Sequence, residues 1–89
     1  MSGSHYNYAC YKFLAMSEKI EEDLADEEAV LSDEIKVLMR QFNAELLHTA
    51  RKAKALEWFM SGDYGEDDFK RVMAEPFNPE INIDSVWGV

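Results

Sequence analysis

The feature that most constrains this chain is an unbroken helical stripe through its middle. Ile35, Leu38, Phe42, Leu46, Thr49, Ala53, Leu56 and Met60 recur at three- and four-residue steps over roughly seven turns. Ser32 precedes the stripe as an N-cap, with Asp33 and Glu34 in the first turn, where the helix dipole favours carboxylates. Gly62 follows as a C′ residue. At 1.5 Å per residue this helix is about 40 Å long, more than one short partner covers. In a chain of 89 residues it predicts packing against copies of itself, and so at least a dimer.

Two more helices flank it. Tyr6, Cys10, Phe13, Ser17, Ile20 and Leu24, widened by Ala9 and Met16, make one stripe of a first helix from a cap near Ser4 to about Asp26. A third helix, about Glu66 to Ala74, follows Gly65, with Glu66, Asp67 and Asp68 at its N-terminus and Phe69, Val72 and Met73 on its apolar face. Pro76 and Pro79 stop it. Residues 76–89 then read as an extended tail whose Ile81, Ile83, Val86 and Trp87 lie across the body or a neighbouring subunit. Residues 1–5 read as disordered or tag-like. The expectation is one small all-α domain over 1–89: two long antiparallel helices, a short third, an extended tail, and self-association. So short a chain buries only about 60–65% of its unfolded surface, which makes self-association a natural remedy.

Charge divides the chain into three. Residues 1–34 carry nine acids and two bases, 35–60 five bases and two acids, and 61–89 seven acids and two bases, for a total of −9. A net-acidic chain repels nucleic acid, so direct DNA or RNA binding is not expected. No apolar run approaches the ~18 residues of a membrane span. The one cysteine, Cys10, excludes an internal disulfide and fits a reducing cytoplasm; on the first helix's stripe it reads as a small core residue.

Two surfaces stand out. Within residues 18–34 lie nine carboxylates, among them Glu18, Glu21, Glu22, Asp23, Asp26 and Glu27. They fall at the C-terminal end of the first helix, the unfavourable end for anions, which hints at a cationic partner. Such a surface imitates a phosphate backbone and fits the groove of a DNA-binding protein; paired with the basic segment of its own fold, it serves only solubility. The second surface is a basic stripe. Lys36, Arg40, Asn43, Leu47, Arg51, Lys54 and Trp58 lie within about 80° on the middle helix and some 140° from its apolar stripe, so they are expected to point away from the primary core. Arg40, Arg51, Lys54 and Trp58, with Tyr64, suit an anionic nucleotide held by charge and stacking. A solvated face, or one paired with the acidic helix, is the plainer alternative.

Catalytic signatures are missing. His48 stands mid-helix without an HExxH partner, "SGDYG" lacks the lysine and preceding strand of a phosphate loop, and the acids match no EF-hand spacing. No enzyme, cofactor or metal is expected.

The corner "EWFMSGDYG" asks why two glycines sit beside Trp58 and Tyr64. A turn accounts for Gly62, Asp63 and Gly65 but does not require both aromatics. Tyr6, Tyr8 and Ala9, together with Glu57, Trp58, Ser61, Gly62, Asp63 and Tyr64, resemble a family of small uncharacterised phage and bacterial proteins. That family pairs a Tyr-x-Tyr-Ala segment with a Glu-Trp-x-x-Ser-Gly-Asp-Tyr segment, and the resemblance spans about half the chain. Lys54-Ala55-Leu56 stands here where the family pattern has a His-Asp pair before Glu-Trp. The resemblance implies a phage context and no chemistry. The function expected is that of a phage-type accessory protein that inhibits a host protein, such as a nuclease or other defence component, through the acidic surface. Sequestration of a nucleotide signal, or a purely structural role, are the alternatives.

Overall fold

In the computed structural model, which describes residues 8–87, the chain is all-α, with four helices: α1 (Ala9–Ala25), α2 (Asp33–Met60), α3 (Glu66–Ala74) and α4 (Ile83–Trp87). Ser4, Tyr6 and the rest of residues 1–7 lie outside the described residues. Within those residues α1 opens at Tyr8, whose backbone is left-handed (φ 55°) and whose side chain makes no cap. The missing cap is supplied from across the fold: the Tyr8 N–H donates to Oε2 of Glu57 at 2.8 Å. A carboxylate at a helix N-terminus satisfies an orphan donor and opposes the positive end of the dipole.

The ends of α2 follow the local signals. Ser32 Oγ accepts from the Ile35 N–H at 3.2 Å. At the other end Asp63 N–H bonds to Trp58 C=O at 2.8 Å and Gly62 N–H to Phe59 C=O at 3.1 Å. That pair of bonds is a Schellman motif, and Gly62 supplies the positive φ it needs, here 90°. The glycine of the corner is thereby explained.

Around α2 the other three helices pack. Tyr8 lies beside Glu57, and Ser17 Oγ donates to Asn43 Oδ1 at 2.6 Å, so α1 packs along α2. Leu14, Leu47, Ala50 and Val86 form the core, with Phe13, Ile81 and Ile83 against it. Phe59 stacks on Phe69 of α3 at 4.9 Å.

Two expectations are corrected. The tail is not wholly extended, because α4 forms within it. Asn82 Oδ1 accepts from the Ser85 N–H at 3.0 Å, an N-cap bond that starts a helix about one turn after Pro79. The second correction concerns which way α2 faces. Leu47, Arg51 and Lys54 of the basic stripe are buried, while Ile35, Leu38, Phe42 and Met60 of the apolar stripe are 45–53% exposed. The middle of the stripe richest in charge faces inward because partners meet it there, while Arg40 stays exposed; of the apolar stripe Leu46 is buried and much of the rest is left on the outside. On α1, Cys10 and Ser17 are buried as the stripe requires, but Leu14 joins them and Met16 is exposed.

Candidate functional site

Arg51 and Lys54 sit one turn apart on the inner face of α2, and the C-terminal segment closes over both. The Arg51 guanidinium forms a two-pronged bond with Glu75, Nε to Oε1 at 2.5 Å and Nη2 to Oε2 at 2.8 Å, and its Nη1 donates to the Ser85 C=O at 2.9 Å. Lys54 Nζ donates to the Val86 C=O at 3.2 Å. These two carbonyls are among the unpaired acceptors at the end of α4, where a cation is most favourable. The basic stripe thus rivets the tail to α2. His48 adds a third tie: its Nε2 accepts from the Asn78 N–H at 2.8 Å, and its ring lies 4.9 Å from Phe77.

Aromatic rings enclose the Lys54 ammonium, at 4.5 Å from the centroid of Trp58, 5.4 Å from Trp87 and 5.9 Å from Tyr64. Trp58 and Tyr64 meet edge to face. This answers why the corner carries both: their π faces stabilise a cation that burial has stripped of water. Burial, and then the charge of Arg51, push the Lys54 pKa below its ordinary value. Burial and then the Glu57 carboxylate push the Cys10 thiol up, with the charge of Lys54 opposing them.

Of the five residues expected to hold an anion, the fold brings Arg51, Lys54, Trp58 and Tyr64 together, but Lys54 is their centre and Arg51 is engaged with Glu75. Arg40 stands apart and exposed, lining a hollow of about 390 Å³ with Val37, Gln41, Glu45, Phe77 and Pro79.

The acidic residues divide differently. Glu18, Glu21 and Glu22 are exposed and line a second open hollow, about 440 Å³, whose remaining lining is Ala25 and Ile83. Asp23 pairs with Lys19 at 3.1 Å, and Asp26 Oδ1 accepts from the Glu28 N–H at 2.9 Å to shape the loop after α1. Glu27 is exposed outside the hollow. Sequence reasoning missed Glu75, the C-cap of α3, and Ser85 of the tail, and placed Ile83 against the body without seeing the hollow it lines.

Among the described residues no group of three or more His, Cys, Asp or Glu side chains is placed to hold a metal ion, and no helix is long and apolar enough to cross a membrane. No protein-family model, curated protein or solved structure matches this chain. Fold and site define a small helical protein whose buried charges are structural and whose exposed features are an acid-rimmed hollow and an apolar helix face.

Proposed function

We propose that this is a non-enzymatic, phage-type accessory protein that acts stoichiometrically by occupying a basic surface of a host protein, such as a nuclease or other defence component, in the host cytoplasm. One observation carries the reading: Glu18, Glu21 and Glu22 line an open hollow together with the apolar Ala25 and Ile83. A lysine or arginine of the partner fits such a place, its alkyl stem against Ala25 and Ile83 and its charge among the carboxylates. The contacts Tyr8–Glu57 and Ser17–Asn43 support an antiparallel α1–α2 pair that holds this edge rigid. The exposed apolar face of α2 supports self-association. The nucleotide-sequestering alternative has less support, since Arg51 and Lys54 already bond to Glu75, Ser85 and Val86.

Charge reversal tests the proposal. The variant Glu18→Lys/Glu21→Lys/Glu22→Lys keeps its helicity by circular dichroism, because all three positions are exposed. A host protein captured by the wild type is then titrated with both forms at low and high salt. The expected result is a loss of at least about a hundredfold in affinity at low salt, shrinking as salt screens the wild-type interaction. Equal affinities for the two proteins would overturn the assignment of the partner surface.

A further inference from the structure

The outer face of α2 has a pattern more specific than its exposure. At 100° per residue, Ile35, Leu38, Phe42, Thr49, Ala53, Leu56 and Met60 fall within about 60° of arc, and no charged residue of the helix falls among them. Thr49 keeps its hydroxyl occupied by donating to the Glu45 C=O at 3.0 Å, so it presents its methyl outward without an unmet polar group.

We propose that a second copy of this chain covers this face, with the two α2 helices running antiparallel about a two-fold axis between Leu47 and His48; this deepens the self-association reading above. Three observations select that occupant and that direction. Ile35, Met39, Phe42, Leu46, Thr49, Ala53, Leu56 and Met60 alternate steps of four and three, the spacing of a coiled-coil seam. Reversed and laid on itself, the seam matches layer by layer on either side of its centre: Ile35 meets Met60 of the second copy, Met39 meets Leu56 and Phe42 meets Ala53, while Leu46, already buried within one copy, leaves the central layer to Thr49. The largest side chain opposes the smallest, as interlocking packing requires.

The flank of the seam gives the second observation. Leu38, Glu45, Lys52 and Phe59 form its outer row, and neither Glu45 nor Lys52 takes part in an ion pair within the described residues. Antiparallel pairing sets Glu45 against Lys52 of the second copy, twice by symmetry, and Leu38 against Phe59. Parallel pairing sets Glu45 against Glu45 and Lys52 against Lys52.

The third observation is long-range. The acid-rich end of α1 and the loop after it lie at the start of α2. A parallel dimer places two such ends side by side, whereas an antiparallel one holds them about 40 Å apart, several Debye lengths at physiological salt. A strip one helix wide and 28 residues long offers on the order of 500 Å² per copy, at the small end of specific interfaces, which fits a reversible dimer.

Sedimentation velocity across a micromolar concentration series tests the arrangement. The wild type is expected to dimerise, Glu45→Lys to weaken the dimer about tenfold, and Glu45→Lys/Lys52→Glu to restore it to within about twofold. Phe42→Lys is expected to abolish it. A wild type that stays monomeric overturns self-association itself. A dimer insensitive to Phe42→Lys overturns the face, and a dimer broken by Phe42→Lys but indifferent to Glu45→Lys overturns the antiparallel direction alone. None of these results bears on the acidic hollow, whose test is separate.

Discussion

The clamp between α2 and the tail is a fit object for a quantitative test. Glu75→Ala removes both carboxylate oxygens that face Arg51, and leaves the guanidinium only its bond to the Ser85 C=O among the contacts named above. Breaking a fully buried pair by removing one partner costs about 3–5 kcal/mol. The Arg51 side chain is 9% exposed, but that of Glu75 is 33% exposed, so water enters where the carboxylate was and lowers the cost. A loss of about 2–3 kcal/mol follows. For a domain of this size each kcal/mol moves Tm by about 4–8 °C, which puts the expected drop at roughly 10–20 °C.

The same pair predicts a pH signature. Hydrogen bonding from Arg51 is the main cause that holds the Glu75 carboxyl below its ordinary value of 4.5; burial opposes it, and the charges of Arg51 and Arg71 assist. The folded state therefore binds this proton less readily than the unfolded state. Its stabilisation is complete above the unfolded value and fades as pH falls through the lower folded one. Urea unfolding followed by tryptophan fluorescence provides the assay, since Trp58 and Trp87 both flank Lys54 beside the clamp. The gap between wild type and Glu75→Ala is expected to be widest near neutral pH and to narrow below about pH 4.5. A gap under about 0.5 kcal/mol, or one that stays constant down to acid unfolding, refutes the clamp as a stabilising element.

Two further substitutions separate what the fold needs from what it leaves over. Leu47→Ala, at a position 1% exposed in the core, is expected to cost about 2–4 kcal/mol, while Leu38→Ala, 53% exposed on the opposite face, costs under about 0.5 kcal/mol when measured on the monomer; equal costs would show that α2 faces the other way. Gly62→Ala meets no atom within 4 Å, so it should lose only the strain of a left-handed residue, about 1–2 kcal/mol by chemical denaturation.

How much of this was legible in the sequence depended on how local the cause was. Ser32, Gly62 and the acids before Phe69 marked the ends of α2 and α3 because caps act within one turn. The facing of α2 was not legible from periodicity. An apolar stripe shows that a face must be covered, not by which molecule, and of the most apolar stripe of α2 only Leu46 is buried in the monomer core, while Ile35, Leu38, Phe42 and Met60 stay exposed. The inward turn of Arg51 and Lys54 depends on Glu75 and on two backbone carbonyls of α4, and a carbonyl leaves no mark on composition. The corner aromatics were legible as unexplained, and became explained only once Lys54 was placed between them.

The two inversions have one physical consequence. Arg51 and Lys54 are buried, two of nine basic residues, against Glu57 alone among eighteen acidic ones. Folding therefore makes the surface more acidic than the composition, and it does so by spending cations on the tail that helps line the hollow: Ile83, part of its lining, begins the helix whose end Arg51 and Lys54 hold. The clamp and the hollow are thus mechanically linked. Loosening the first through Glu75 should weaken partner binding even though Glu75 lies outside the hollow. On the two-fold pairing proposed above, the hollows sit at opposite ends of the dimer, each near the start of its own α2. Two such sites on a stiff spacer raise the avidity for a partner with paired basic patches, and only if the patches match that separation. A Phe42→Lys monomer should therefore retain single-site affinity for one basic surface while losing the gain on a two-patch partner; a monomer that keeps the full wild-type affinity for such a partner would show that the two faces act independently.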